Sequence, residues 1–216
     1  MRLLITGGAG FVGSRLARTL LAKGELNGQK IERLILADQF PAPADLAADP
    51  HVSVKTGPLL THCKELETEA VDGVFHLASA VSGECEDDFD LGLRSNLDST
   101  RALLDALRKR TEGGAKPTRL VFSSSVAVFG PDGAYPMPSI VADDTLPTPQ
   151  TSYGIQKHIC EHLIADYTRK GYIDGRSARL MTVTVRPGKP NGAASSFFSG
   201  IIREPLAGIP SICPVS

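Results

Sequence analysis

No stretch of this chain is apolar for long enough to span a bilayer as a helix. The first residues enter an apolar strand at once, without the basic, apolar and small-residue order of a secretory leader. Neither sign of charge dominates. There are 23 Lys and Arg against 24 Asp and Glu, a formal net charge of −1, which argues against a general nucleic-acid binder. The short basic run Arg108-Lys109-Arg110 reads as a solvated helix end. Cysteine is sparse: Cys63, Cys85, Cys160 and Cys213 are dispersed with no C-x-x-C spacing, the pattern of reduced thiols in a cytoplasmic protein. Internal repeats and low-complexity tracts are lacking. What remains is a 216-residue chain, enough to bury one large domain or one and a half.

Glycine is present where it carries meaning. Arg2-Leu3-Leu4-Ile5 is a short apolar run of the kind buried in a parallel sheet. It leads into Thr6-Gly7-Gly8-Ala9-Gly10-Phe11-Val12-Gly13, and helical periodicity follows from Ser14 to Leu21. Strand, glycine turn and helix in that order form a dinucleotide cradle. Gly7, Gly10 and Gly13 permit a tight turn and close approach of backbone to a pyrophosphate, which the free N–H groups at the helix start attract, with Phe11 and Val12 of the turn also candidates for cofactor contact. The bland alternative is an ordinary glycine-rich turn. A second strand, Ile31 to Ala37, ends at Asp38. A carboxylate there accepts hydrogen bonds from ribose hydroxyls and repels a 2′-phosphate. No arginine follows it, so NAD is expected in preference to NADP. The polar insert Gly24 to Lys30 reads as a longer loop. Asp38 also has a plainer reading, as a solvated turn acid.

Tyr153-Gly154-Ile155-Gln156-Lys157 places a phenol and an ammonium four residues apart, on one helix face. The ammonium is expected to lower the phenol pKa and make it a usable base. Thr151 or Ser152 can cap that helix. About 30 residues upstream, the apolar strand Arg119 to Phe122 delivers Ser123-Ser124-Ser125. On the same helix His158-Ile159-Cys160-Glu161-His162 has the H-x-x-E-H spacing of a zinc site. No third ligand is marked, so no metal is expected.

The remaining chain alternates strands and helices. Further strands are expected over 51–55, 71–77 and 179–185, a long helix over 88–110, and loops over 41–50 and 130–150. Ala78-Ser79-Ala80, after the fourth strand, has side chains small enough for a cofactor to pass. The expected fold is α/β, a doubly wound parallel sheet with ligands beyond the strand carboxyl ends.

Together Thr6-Gly7-x-x-Gly10-x-x-Gly13, Asp38, His76-Leu77-Ala78, Asn96, Ser123-Ser124-Ser125 and Tyr153-x-x-x-Lys157 resemble the extended short-chain dehydrogenase/reductase superfamily, which holds the nucleotide-sugar epimerases and dehydratases. The resemblance implies a Rossmann-type fold, with Ser125, Tyr153 and Lys157 catalytic, Asn96 supporting the site, and Leu77 and Ala78 beside the cofactor. It also implies a homodimer through the helices near 88–110 and 152–170. Gly57-Pro58-Leu59 stands where that superfamily often has an adenine-contacting aspartate. A narrower resemblance runs through Val81-Ser82-Gly83-Glu84, Asp87 to Asp90, Arg186 to Asn191 and Ser195 to Leu206. These segments are similar to the D-erythronate dehydrogenase branch, which oxidises the 2-hydroxyl of a four-carbon sugar acid with NAD. The small-molecule carboxylate would then meet Arg186, Lys189 and the Ser82-Gly83 backbone, beside Ser125 and Tyr153. Arg186 and Lys189 can equally be loop-surface cations. The division expected is an NAD-binding domain over 1–190 and the start of a truncated substrate-binding region over 191–216. A nucleotide-sugar epimerase or dehydratase on the same scaffold is the alternative. A non-catalytic cofactor-sensing interaction protein is the alternative of another class.

Overall fold

The computed structural model describes residues 1–188 and 193–214. Six parallel strands form its sheet, in the order β5-β4-β1-β6-β7-β8. They are β1 (Arg2–Thr6), β4 (Arg33–Asp38), β5 (Val52–Thr56), β6 (Gly73–His76), β7 (Thr118–Ser125) and β8 (Ile173–Leu180). The chain fills one side of β1 first and then the other. A crevice therefore opens between the carboxyl ends of β1 and β6, as expected where strand order reverses.

Side chains alternate across each strand, and here both faces are apolar. Leu3 and Ile5 of β1, with Leu34 and Leu36 of β4, pack against Ala17 and Leu20 of α1 (Phe11–Lys23) and Leu46 of α2 (Ala44–Ala47). Leu4, Ile35, Val74, Leu120 and Phe122 point to the other face. There they meet α3 (Leu59–Leu66), α6 (Ser99–Glu112) and α7 (Ser152–Arg169). The doubly wound α/β fold is as expected.

Three elements differ from the sequence expectation. The insert after α1 is not a plain loop. Glu25–Leu26 (β2) and Gln29–Lys30 (β3) pair as a small antiparallel hairpin around Asn27-Gly28, a dipeptide suited to a two-residue turn. The long helix is not continuous α-helix. After α4 (Ser82–Asp87) it comprises α5 (Phe89–Gly92), a π-helical turn (Leu93–Asp98) and α6. The last strand is Ile173–Leu180, not 179–185. It pairs with β7 from Thr118↔Ile173 to Ser125↔Leu180. At the sheet edge the backbone ladder holds a polar segment, while the more apolar Met181 and Val185 lie exposed. The expected domain boundary at 190/191 falls outside the described residues. Beyond it, α8 (Phe197–Leu206) is tied back by Arg186 N–H donating to Ser199 Oγ (2.9 Å) and Arg203 Nη1 donating to Arg186 O (2.6 Å). No helix among the described residues is long and apolar enough to cross a membrane.

Candidate active site

The turn after β1 is built by close approach. Gly7 has φ +70, and a Cβ on it would lie 2.8 Å from the backbone nitrogen of Ala78. A Cβ on Gly13 would lie 2.1 Å from the Gly7 carbonyl oxygen. Strand end, turn and helix thus pack backbone to backbone. Helix α1 starts at Phe11 with Gly10 extended before it and no side-chain cap, so its first N–H groups are left for a ligand. Asp38 closes the far side, its carboxylate accepting from Ala9 N–H and Phe40 N–H (3.0 Å each). These residues fit a dinucleotide: glycine clearance, a helix start for the phosphates and a carboxylate at the second strand's end.

The three serines at the end of β7 are engaged differently. Ser123 Oγ donates to the His76 carbonyl (3.1 Å), and the Ser123 carbonyl accepts from Lys157 Nζ (2.8 Å). Ser124 Oγ donates to Glu161, whose carboxylate also accepts from Arg179 Nη2 of β8 (2.9 Å). Ser125 Oγ accepts from Ala127 N–H (3.1 Å) and lines one cleft with the Tyr153 phenol. Tyr153, Lys157 and Glu161 recur every four residues, so one face of α7 addresses the strand end. Thr151 caps that helix, its Oγ1 accepting from Gly154 N–H (3.1 Å).

The electrostatics depart from expectation. Lys157 is 2% exposed, and burial brings its pKa down to about 8. Its ammonium lies 4.7 Å from the Phe122 ring centroid and 5.5 Å from that of Tyr153. The Tyr153 phenol is raised, not lowered. Burial dominates it, and the hydrogen bonds from Ser125 and Ser79 with the charge of Arg186 only partly offset this.

A cleft of about 490 Å³ joins these parts. It is lined by Gly7, Gly10, Phe11, Val12 and Gly13 on one side, and by Ser82, Ser125, Tyr153, Lys157 and Arg186 on the other, with Leu77 between. The expected residues Asp38, Ala78, Gly83 and Asn96 do not line it. Lys189 lies outside the described residues. Asn96 stands behind the wall in the π-helical turn, where Oδ1 accepts from Ala80 N–H (2.8 Å) and Ser79 Oγ (3.0 Å) and Nδ2 donates to Gln156 Oε1 (2.8 Å). Sequence reasoning gave Ser79 no role beyond its small size; its Oγ donates to Asn96 Oδ1 at the cleft wall. Sequence reasoning also missed Leu180, the last residue of β8, and Met181 to Val183 after it, which line the cleft. The His158 and His162 rings meet edge to face. Glu161 beside them is taken up by Arg179 and Ser124.

The family model described as the NAD dependent epimerase/dehydratase family matches residues 3–213. The chain belongs to that family. Among its relatives, the D-erythronate dehydrogenase of Cupriavidus necator is 53% identical and that of Haemophilus influenzae 47% identical. Both matches cover 100% of this chain and 65% of the relative. The chain thus spans about two thirds of the length of these two relatives. A crystal structure described as a nucleoside-diphosphate-sugar epimerase from Agrobacterium tumefaciens is 45% identical with a TM-score of 0.89, covering 100% of this chain and 63% of that one.

Proposed function

We propose that this chain carries the cofactor half and the catalytic dyad of an NAD-dependent dehydrogenase, oxidising the 2-hydroxyl of a small sugar acid, with D-erythronate the first candidate. The observation that carries the reading is the meeting of Ser125, Tyr153, Lys157 and Arg186 in one cleft with the glycine turn. The identity to two D-erythronate dehydrogenases supports the substrate. Bound NAD would accept the hydride from C2. Gly7, Gly10, Gly13 and the α1 start would hold its pyrophosphate, and Asp38 its adenosine ribose. Asp38 favours NAD over NADP through charge repulsion of a 2′-phosphate.

The Tyr153 phenolate would take the hydroxyl proton, with Ser125 fixing the same oxygen. Lys157 would bond the nicotinamide ribose. Because burial raises Tyr153, the free protein holds the phenol protonated, and the base form must be favoured when the cleft fills. A carboxylate beside C2 would pair with Arg186, whose Nε–H donates to the Val183 carbonyl (3.2 Å) and so sets the head group's direction. Ser82, the first residue of α4, lines the same cleft with Gly83 next to it in the helix, and Lys189 follows Arg186 in the chain.

Two further parts belong to this reading. The free cysteines suit a reducing cytoplasm. Exposed Phe89, Ile155 and Ile159 on α5 and α7 suit pairing of two copies. The test is a substrate screen of the full-length protein, following NADH absorbance with four-carbon aldonic acids and sugar turnover with UDP-sugars. The expected result is reduction of NAD, and more weakly NADP, by D-erythronate. A protein that ignores such acids and interconverts a UDP-sugar would overturn the proposal in favour of a nucleotide-sugar epimerase.

A further inference from the structure

His76 ends β6 with its ring fully buried and both ring nitrogens in contact with hydroxyls. Nδ1 lies 2.7 Å from Thr6 Oγ1 and Nε2 lies 2.9 Å from Thr100 Oγ1. The neighbours decide where the ring proton sits. Thr6 Oγ1 already accepts from Leu77 N–H (3.1 Å) and Ala78 N–H (3.2 Å). Both of its lone pairs are taken, so its own proton is left to donate to Nδ1. Thr100 Oγ1 donates its single proton to the Asn96 carbonyl (2.5 Å), so it can only accept from Nε2. A proton on Nδ1 would press a third donor onto Thr6 Oγ1. The ring is therefore neutral with its proton on Nε2. Burial, aided by the charge of Lys157, brings its pKa down to about 3, which agrees with this state.

The two ends of that ring lead to different halves of the cleft. The Thr6 end holds the residue before Gly7 and the backbone of Leu77 and Ala78, against which Gly7 packs. The Thr100 end holds the Asn96 carbonyl, and the Asn96 side chain reaches Ser79, Ala80 and Gln156 on α7. Cys160 Sγ of α7 also donates to the Asn96 carbonyl (3.4 Å). We propose that His76 is a positioning residue whose Nε2–H tautomer joins the phosphate-binding turn to the helix that carries Tyr153 and Lys157, through Thr6 on one side and Thr100 and Asn96 on the other. It touches neither cofactor nor substrate. The assignment rests on the dinucleotide reading of the turn but not on the identity of the substrate.

Two replacements divide the ring's functions. Asparagine carries an acceptor near the place of Nδ1, and glutamine carries a donor near the place of Nε2. His76→Asn should keep the Thr6 end, leaving NAD affinity within about threefold while turnover falls about tenfold, the scale of a lost buried hydrogen bond. His76→Gln should do the reverse, weakening NAD about tenfold and sparing turnover. Fluorescence titration with NAD and steady-state rates on the alcohol the enzyme accepts provide the two readouts. Nitrogen-15 NMR of the histidine-labelled wild-type protein gives a third, needing neither ligand nor variant. It should show His76 with a bare Nδ1 and a protonated Nε2. A proton on Nδ1, or equal losses of affinity and turnover in both variants, would overturn the proposal. If four-carbon acids prove not to be substrates, the tautomer and the NAD affinities still decide it.

Discussion

The two walls of the cleft are made of different material. The β1–α1 wall is mostly backbone: Gly7, Gly10 and Gly13 present peptide groups, and the Gly7 and Gly13 contacts leave no space for a methyl group. The opposite wall is side chains, Ser125, Tyr153, Lys157 and Arg186, held on a strand end, a helix and the segment after β8. A backbone wall suits a ligand part that is always the same, such as a pyrophosphate. A side-chain wall can change its chemistry one residue at a time without moving the fold. Within one cleft the invariant and the adaptable tasks are thus separated.

The largest test of that separation is Tyr153→Phe. Only the phenol oxygen is lost, so turnover should fall about 10²- to 10⁴-fold, while NAD affinity, measured by titration, stays nearly unchanged. A variant that kept its turnover would mean that the side-chain wall holds another base.

Lys157→Met tests how far a buried ionisable side chain strains the wall it stands in. The lysine pKa falls from 10.5 to about 8 on burial. Between those values the unfolded chain holds the proton more firmly, so wild-type stability rises as pH climbs from about 8 to about 10.5. Below about 8 the full penalty stands, on the order of 3 kcal/mol. The methionine variant should therefore be inactive yet more stable at neutral pH, by up to about that amount, and its lead should shrink above pH 8. Urea unfolding at several pH values checks this. A destabilised variant would show that the bond to Ser123 and the Phe122 ring outweigh burial.

Arg186→Lys in the full-length enzyme should give the smallest change. It keeps the charge but loses the bidentate fork, so KM for the acid should rise about tenfold with NAD affinity unaltered. Equal loss for both ligands would break the separation.

The backbone wall was legible from sequence because its demands are local. A missing Cβ at Gly7, Gly10 and Gly13, after an apolar strand and before a helix, announces itself within eight residues. Tyr153 and Lys157 were legible because one helix face needs only a spacing of four. The pKa relation between them was not, since it depends on how deeply the surrounding chain buries them. The place of β8 escaped for a similar reason. An edge strand is selected by its ladder to Thr118–Ser125 rather than by its own apolarity, and the more apolar segment after it drew the assignment instead. Nothing in residues 93–98 marks a π-helical turn, so Asn96 was placed by resemblance alone. Asp38 and Ala78, read from sequence as cofactor residues, do not line the cleft; Asp38 holds Ala9 and Ala78 backs Gly7.

Ser123, Ser124 and Ser125 look interchangeable as letters, yet each answers a different part of the molecule: β6 and Lys157, Glu161 with Arg179, and the phenol. The smallest portable unit of the proposed chemistry is therefore larger than the Tyr153–Lys157 pair. Grafting Tyr153 and Lys157 onto another helix would carry the reagents without their alignment. A working graft would need the end of β7, the α7 face through Glu161, and the edge strand that supplies Arg179, moved as one block.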